Sequence, residues 1–230
     1  MTDDLAASAP PLRRYFAPSP LNADHAHLAD QVALVEDHVE ALHLDFMDGH
    51  FVPALAFAPA VVRDLKKVTH LPLRCHLMVS APDQFVDTFA DHGADLLTVH
   101  HECGEHARDA IRRARERGMK AGLALKLETP VAAAEEMLDQ LDSLLIMSIV
   151  PGRSGQPFRD EALGRIEEAR AMVDRSGLEI DIEVDGGVNE ETGRRCIAAG
   201  ATILAADSVV FRAEDPTRAA KAMAGVAAGA

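Results

Sequence analysis

The segment LHLDFMDGH places three chemically versatile side chains inside a short and otherwise apolar run. Successive side chains of an extended strand point to opposite faces. His43, Asp45 and Met47 therefore share one face, while Leu44 and Phe46 share the other. If the two large apolar side chains meet covering helices, an imidazole, a carboxylate and a thioether point inward. This spacing predicts a strand whose inner face could bind a metal ion.

Three further segments carry matching residue types. His76 and Met78 share a face in RCHLMV, Met147 lies in LLIMSIVPG, and EVDGG contains Asp185. A single strand histidine is more often a hydrogen-bonded core residue than a ligand. Two histidines and two aspartates turned inward without a metal would, however, leave costly unpaired charges. Such an N2O2 donor set suits one divalent ion, namely zinc, iron(II), manganese or cobalt. The predicted ligands are His43, Asp45, His76 and Asp185.

Short apolar runs alternate with longer amphipathic stretches along the chain, which is typical of strand and helix units around a parallel sheet. Several of the amphipathic stretches end in a glycine just before the next apolar run, and the unit recurs roughly every 25 to 30 residues, as in a (β/α)8 barrel. The eight predicted strands cover residues 14–21, 41–48, 71–79, 96–102, 120–127, 143–150, 179–187 and 201–208.

An open, doubly wound sheet is the alternative architecture, but it usually has a glycine-rich turn after its first strand. Here that turn reads SPLN, without glycine. We therefore predict an α/β protein consisting of a single (β/α)8 barrel. The predicted domains are a flexible N-terminal leader, residues 1–13, and a catalytic barrel domain, residues 14–230. In a barrel, chemistry takes place at the carboxyl ends of the strands.

Three predicted loops at that end carry residues suited to an anionic substrate. VPGRSGQ follows the sixth strand, and its length and glycine content predict a mobile lid. The loops after strands seven and eight of a barrel commonly bind phosphate through backbone N–H groups. Taken singly, each of these glycines is equally well explained by an ordinary turn. The candidate substrate-binding residues in the three loops are Gly152, Gly155, Gln156, Gly186, Gly187, Asp207 and Ser208.

Composition limits the classes of partner. The 230 residues carry a formal net charge of −14, which argues against general binding to nucleic acid or attachment to an anionic membrane. No apolar run approaches the roughly 18 residues of a spanning helix, and the N-terminus lacks the basic and apolar regions of a signal peptide. Cys75, Cys103 and Cys196 are widely separated and predict reduced thiols. We expect a cytoplasmic protein, and acidic barrels of this size often form homo-oligomers.

The chain resembles the ribulose-phosphate 3-epimerase family, whose members are (β/α)8 barrels, from Phe16 to Phe211. APSPLNAD is similar to the opening of the family, LHLDFMDGHFVP to its central signature and LPLRCHLMV to its third strand. GADLLTVHHE, IMSIVPGRSGQPF and IEVDGGV are similar to its fourth strand, its lid and its seventh strand. The resemblance implies an isomerase of carbohydrate metabolism, in the pentose phosphate pathway, that acts on a small sugar phosphate.

The resemblance also implies roles for individual residues. His43, Asp45, His76 and Asp185 would hold the metal, and Asp45 and Asp185 would be the catalytic acid/base pair. Inverting a carbon next to a ketone requires proton removal from one face and proton return to the other, which two carboxylates can perform. The expected reaction converts D-ribulose 5-phosphate to D-xylulose 5-phosphate through a metal-stabilised enediolate. The further residues expected to contact substrate are Ser19, Met47, Met78 and Met147.

The chain departs from the pattern of the family at three places. Arg153 and Ser154 replace an aromatic and a small residue, and Ala54 replaces an asparagine. Asp207 stands where the family has a glycine, and its carboxylate would repel a phosphate unless neutralised. Two hypotheses follow: Arg153 offsets this charge and influences specificity, or Asp207 only caps the next helix. The alternative substrates are allulose 6-phosphate and an unphosphorylated or modified ketose. The alternative that is not an enzyme is a barrel that binds a sugar phosphate without catalysing a reaction.

Overall fold

A computed structural model describes residues 13–229 of the chain. Within these residues, eight parallel strands follow one another around a curled sheet, and a ninth, two-residue strand pairs antiparallel with the second. The order of the strands in the sheet is β1-β9-β8-β7-β6-β5-β4-β2-β3. The strands are β1 Tyr15–Pro18, β2 Leu42–Asp48, β3 Leu55–Ala56, β4 Leu73–Met78, β5 Leu96–His100, β6 Lys120–Leu125, β7 Ser143–Met147, β8 Asp181–Asp185 and β9 Ile203–Ala206.

The curled sheet closes where its first two strands meet. Strands β1 and β2 lie side by side, and the hydroxyl of Ser19, just after β1, donates a 2.7 Å hydrogen bond to Asp45 of β2. Backbone ladders join the other neighbouring barrel strands, all of them parallel. The prediction of a (β/α)8 barrel is confirmed, and the open doubly wound sheet is excluded.

Helices cover the outside of the barrel, and the described residues include eight of them. They are α1 Leu28–Ala33, α2 Ala60–Leu65, α3 Val86–His92, α4 Glu105–Glu116, α5 Glu161–Ser176, α6 Glu190–Ala199, α7 Ser208–Phe211 and α8 Pro216–Ala228. Six short 310 segments complete the connections: Pro20–Asn22, His25–His27, Glu36–His38, Pro82–Phe85, His101–Cys103 and Val131–Gln140. The last of these replaces the α-helix expected between β6 and β7.

The main apolar core lies between the outer faces of the strands and the helices. Leu44 and Phe46 point into this core, as their alternation with polar residues predicts. The ring of Phe46 meets that of Phe89 on α3 edge-on, with 4.7 Å between the ring centroids. Burying each such side chain stabilises the fold by about 1.5–3 kcal/mol. The packing of this outer face leaves the alternate residues of β2 to face the barrel interior.

The predicted strands extend beyond the observed ones at most ends. The first was expected to reach Leu21, but Pro20 begins a 310 turn; the last was expected to include Ser208, which instead begins α7. Proline has no backbone N–H for a sheet ladder, which explains the first early stop. The predicted leader, residues 1–13, lies outside the described residues except for Arg13. The proposed division into leader and barrel domain stays a prediction.

Two expectations from composition concern thiols and membranes. Cys75, Cys103 and Cys196 are all free thiols, as predicted. Within residues 13–229, no helix combines the length and the apolar character needed to cross a bilayer. The cytoplasmic location stays a prediction from the sequence.

Candidate active site

The two histidines and two aspartates predicted to be metal ligands come together at the centre of the barrel mouth. The register of the sheet pairs Asp45 on β2 with His76 on β4, and Asp185 ends β8. Nδ1 of His76 lies 3.0 Å from Oδ1 of Asp45 and 4.0 Å from Oδ2 of Asp185. Nε2 of His43 lies 3.3 Å from the same Asp45 oxygen. One nitrogen or oxygen atom from each of the four residues lies within 4.8 Å of the others.

Asp45 is held in its charged form. Burial acts to raise its pKa, but the positive charge of His43 and hydrogen bonds from His43 and His76 outweigh burial, so the pKa lies well below its usual value. Its second oxygen, Oδ2, accepts the hydrogen bond from Ser19. One carboxylate oxygen thus faces the histidines and the other is fixed by the hydroxyl. Asp45 is therefore a rigidly placed anion in the metal-free protein.

The pKa of Asp185 is shifted in the opposite direction to that of Asp45. Burial disfavours its charged form, and the negative charge of nearby Asp45 adds to this, so the pKa of Asp185 is raised well above its usual value. In the absence of a cation, Asp45 is therefore ionised while Asp185 favours its protonated form. Two neighbouring carboxyl groups with opposed protonation are the arrangement from which an acid and a base are assigned in known enzymes.

A buried charged network lies directly beneath His43, and the sequence analysis did not identify it. Nδ1 of His43 lies 2.8 Å from Oε1 of Glu183. The guanidinium of Arg74 donates to Oε2 of the same carboxylate, at 2.6 Å from Nη2 and 3.2 Å from Nε. Burial opposes the charge of Glu183, but Arg74 and His43 outweigh it and hold the pKa of Glu183 well below its usual range. The network fixes the orientation of the His43 ring.

A second unpredicted contact lies behind His76. Nε2 of His76 lies 2.9 Å from Nε2 of His100, whose Nδ1 lies 3.2 Å from Oε2 of Glu102. Burial lowers the pKa of His100 to about 4, against the opposing effect of Glu102. His100 is therefore neutral at physiological pH. Each of the two histidines of the cluster thus has a buried partner for its second ring nitrogen.

The alternation used to find the cluster could have identified these partners. Glu183 precedes Asp185 by two residues and Arg74 precedes His76 by two, so each shares the inward face of its strand. His100 lies on the strand that follows β4 in the sheet. Their polarity on predicted barrel strands was the available signal.

A cavity of about 540 Å³ opens above the cluster at the carboxyl ends of the strands. Asp45 and Asp185 lie at its floor, whereas His43 and His76 lie beneath it. Ser19 is buried beside Asp45 and does not line the cavity. All other residues predicted to contact substrate or influence specificity line it, namely Met47, Met78, Met147, Gly152, Arg153, Gly155, Gln156, Gly186, Gly187, Asp207 and Ser208.

The predicted lid covers one side of this cavity. The amide of Gln156 donates to the carbonyl oxygens of Val150 and Arg153, at 2.7 and 2.8 Å, which folds the loop on itself. Gly152 has a positive φ of 87°, and a Cβ atom there would lie only 2.5 Å from Cβ of Val52. Only glycine therefore lets the lid approach the loop after β2 this closely.

Both carboxylate oxygens of Asp207 accept hydrogen bonds from nearby residues. Its Oδ1 accepts a hydrogen bond from the N–H of Ser208 at the start of α7, and its Oδ2 accepts one from the side-chain amide of Asn22. That amide also donates to Oγ of Ser154 in the lid, at 2.8 Å, and Arg212 donates to the oxygen of Asn22. Within residues 13–229, no hydrogen bond or ion pair joins Arg153 to Asp207. The geometry favours the local cap over the pairing with Arg153.

Solved structures that are similar to this one share its fold. A crystal structure of KGPDC from Streptococcus mutans superimposes with a TM-score of 0.72 at 14% identity, covering 95% of this chain and 98% of that chain. A crystal structure of 3-hexulose-6-phosphate synthase gives a TM-score of 0.71 at 18% identity, covering 92% and 99% of the two chains. At these identities the likeness concerns the fold alone.

Sequence relatives are much closer. The chain is 43% identical to the ribulose-phosphate 3-epimerase of Bacillus subtilis (strain 168), over 88% of this chain and 94% of the relative. It is 38% identical to the Escherichia coli (strain K12) protein of the same name, over 89% and 92% of the two chains. The sequence profile described as the Ribulose-phosphate 3 epimerase family matches residues 15–211. With a match over most of its length, the chain belongs to the ribulose-phosphate 3-epimerase family.

Proposed function

We propose that this chain is an isomerase that interconverts D-ribulose 5-phosphate and D-xylulose 5-phosphate by inverting carbon 3. Relatives that carry the name ribulose-phosphate 3-epimerase, and that match along about nine-tenths of their length, support this substrate. The observation on which the chemistry rests is the pair of carboxyl groups at the cavity floor, Asp45 and Asp185, on separate strands.

The two carboxyl groups divide the proton transfers between them. Inversion requires one group to remove the proton from carbon 3 and another to deliver a proton to the opposite face of the planar enediolate. Asp45 and Asp185 lie on separate strands at the cavity floor, so one of them could remove the proton and the other could return it. The roles exchange when the reaction runs backwards. A barrel that only bound sugar phosphates would not need these two acids.

The cluster fits one divalent ion. One nitrogen or oxygen atom from each of the four residues lies within 4.8 Å of the others, so the four could converge on one ion. When bound, the ion polarises the carbonyl group of the ketose and offsets the developing negative charge. Two nitrogen and two oxygen donors suit zinc, iron(II), manganese or cobalt. The holding residues would be His43, Asp45, His76 and Asp185.

The rest of the cavity serves binding. Met47, Met78 and Met147 supply an adaptable apolar surface near the carboxyl groups, and the hydroxyl of Ser19 keeps Asp45 in place. We assign the phosphate end of the substrate to the loops after β8 and β9, at residues 186–187 and 207–208, where the carboxylate oxygens of Asp207 already accept hydrogen bonds from the amide of Asn22 and the N–H of Ser208. Gly187 approaches the backbone of Phe158 so closely that a Cβ atom would lie 2.5 Å from its nitrogen. Homo-oligomerisation stays a prediction from the sequence.

The metal assignment is tested by elemental analysis of protein purified without chelator. We expect about one divalent ion per chain, and loss of most of it in His76→Ala. His92→Ala is the matched control, since His92 lies on α3 and bonds to the carbonyl oxygen of Pro59, away from the cluster. Equal metal content in His76→Ala and the unmodified protein would contradict the site.

The acid/base assignment is tested by turnover of ribulose 5-phosphate and by exchange of its C3 hydrogen in deuterated water. Asp185→Asn should reduce both by about two or more orders of magnitude, the scale of a lost general acid or base. Asp181→Asn is the control at the opposite end of the same strand. Metal content is measured in parallel. Near-normal turnover in a metal-loaded Asp185→Asn protein would refute the role of Asp185.

A further inference from the structure

Both histidines of the cluster present one ring nitrogen to the centre and the other to a buried partner. Nε2 of His43 and Nδ1 of His76 face Asp45. The outer nitrogen of His43 meets the carboxylate of Glu183 directly. The outer nitrogen of His76 instead meets another imidazole, that of His100, at 2.9 Å. An imidazole–imidazole contact of this length requires a hydrogen on one of the two facing nitrogens only.

The contacts at the far side of His100 favour one position for that hydrogen. Oε1 of Glu102 already accepts hydrogen bonds from the backbone N–H of Lys126, at 3.0 Å, and from the hydroxyl of Thr129. Oε2 of Glu102 is left for Nδ1 of His100, at 3.2 Å. A carboxylate oxygen accepts, so this contact favours a hydrogen on Nδ1 of His100. With one hydrogen in the contact between His76 and His100, Nε2 of His100 is then the acceptor and Nε2 of His76 the donor.

This order of hydrogens leaves Nδ1 of His76 with a free lone pair that faces the centre of the cluster. The reverse order would place a hydrogen on Nδ1 of His76, directed at Asp45, and an unprotonated Nδ1 of His100 against the carboxylate of Glu102. Asp45 and Glu102 therefore compete for opposite orders of the same two hydrogens. A cation bound at Nδ1 of His76 needs the free lone pair there. The cation and the carboxylate of Glu102 therefore both favour hydrogens on Nε2 of His76 and Nδ1 of His100.

The His100 ring is held where this contact requires it. It is fully buried, and the ring of Phe51 lies against it with 4.7 Å between centroids. The ammonium group of Lys126 lies 3.9 Å from the centre of the Phe51 ring. The neighbouring loop thus covers His100 and keeps water from its nitrogens. His100 itself is not among the four residues whose atoms meet at the centre.

We propose that His100 and Glu102 are positioning residues that fix the tautomer of His76, so that its Nδ1 is the nitrogen offered to the metal ion. This inference rests on the proposed metal site. It assigns the residues a role through His76, without contact to substrate. Partners at the second nitrogen of a metal-binding histidine typically contribute about 10- to 100-fold to metal affinity or activity.

The tautomers are measured directly by NMR on the unmodified protein, labelled with 15N at histidine and loaded with zinc. We expect His76 to carry its hydrogen on Nε2 and His100 to carry its hydrogen on Nδ1. A spectrum in which His100 carries its hydrogen on Nε2 overturns the proposal. This measurement needs no variant and is independent of turnover.

A pair of variants tests the consequence for affinity. His100→Phe keeps an aromatic ring against Phe51 but removes both nitrogens, and should weaken cobalt(II) binding about 10- to 100-fold in competition with a chelator. The visible absorption spectrum of the bound cobalt should shift as well. Glu102→Gln keeps an acceptor oxygen and should have a smaller effect in the same direction. His101→Phe is the control, because His101 is adjacent in the chain and, within residues 13–229, its side chain forms no hydrogen bond with the cluster.

The outcomes separate this inference from the proposed metal site. If the unmodified protein and His76→Ala bind cobalt alike, the metal site is wrong, and the role of His100 falls with it. If His76→Ala abolishes binding while His100→Phe retains the affinity and spectrum of the unmodified protein, only the positioning role is wrong. Weakened binding in His100→Phe with unchanged binding in His101→Phe supports it.

Discussion

Replacing Arg74 by methionine should destabilise the metal-free fold by about 3–5 kcal/mol, the range for removing one partner of a buried ion pair. The side chains of Arg74 and Glu183 are 7% and 0% exposed. The guanidinium also donates to the hydroxyls of Ser143, at 2.8 Å, and Tyr15, at 3.1 Å. Methionine fills much of the same space, so the loss reflects the Glu183 charge, which keeps only His43 as a charged partner, more than a cavity.

A double-mutant cycle isolates this charge effect. Glu183→Gln removes the negative charge, so adding it to Arg74→Met should recover part of the loss, with a coupling energy of about 2 kcal/mol. Replacing a whole buried pair by neutral groups is often close to neutral. The two single losses should therefore add to more than the loss in the double variant.

Urea unfolding in the presence of a chelator, followed by far-ultraviolet circular dichroism, measures these free energies. The chain has no tryptophan, and its one tyrosine is itself a partner of Arg74, so fluorescence is a poor probe here. A loss below about 1 kcal/mol in Arg74→Met, or strictly additive single losses, would refute the conclusion that the pair supports the barrel interior.

Two further predictions concern Glu102 and Asp207. Burial acts to raise the pKa of Glu102, but hydrogen bonds from His100, Thr129 and Lys126 lower it from 4.5 to about 2. This shift adds about 3 kcal/mol to the free energy of unfolding above pH 4.5, and the contribution is lost as the pH falls through 2. In metal-free protein, Glu102→Gln should therefore reduce the fall in unfolding free energy between pH 7 and pH 3 by about 2 kcal/mol, and an identical pH profile would contradict this. Because Asp207 caps α7 and, within residues 13–229, no hydrogen bond or ion pair joins it to Arg153, the effects of Asp207→Gly and Arg153→Ala on the activation free energy from kcat/KM for ribulose 5-phosphate should add within about 0.5 kcal/mol. We expect the preference for ribulose 5-phosphate over free ribulose to be unchanged. A coupling energy above about 1 kcal/mol between the two substitutions would restore the hypothesis that Arg153 pairs with Asp207.

The cluster could be predicted because two regular patterns determine it. Period-two alternation places His43 and Asp45 on one face, and parallel strands bring their carboxyl ends to the same edge, where Asp185 joins them. The eight strands were predictable for the same reason, since each is a short apolar run bounded by polar turns. These signals are local and repeat along the chain.

The alternation indicates that Glu183 and Arg74 face inward, but which histidine each of them meets depends on distances that no local pattern contains. His43 and Glu183 are 140 positions apart in the chain, and their contact across the barrel interior follows only from the detailed stagger of the strands. The connection after β6 shows another limit. Val131–Gln140 has apolar residues at helical spacing, yet it forms a 310 segment. The hydrophobic pattern constrains which side is buried and leaves the tightness of the turn undetermined.

The junction between β1 and β2 gives the barrel an uneven local stability. Within residues 13–229, the sheet ladders run from β1 through β9 around to β2, and none joins β1 to β2. Segments with fewer backbone hydrogen bonds have lower free energies of local opening and exchange their amide hydrogens sooner. Asp45 borders this junction, and Ser19 spans it. A transient separation of the two strands would release one oxygen of the Asp45 carboxylate, so the part of the barrel wall without a sheet ladder is also a part on which the proposed proton chemistry depends.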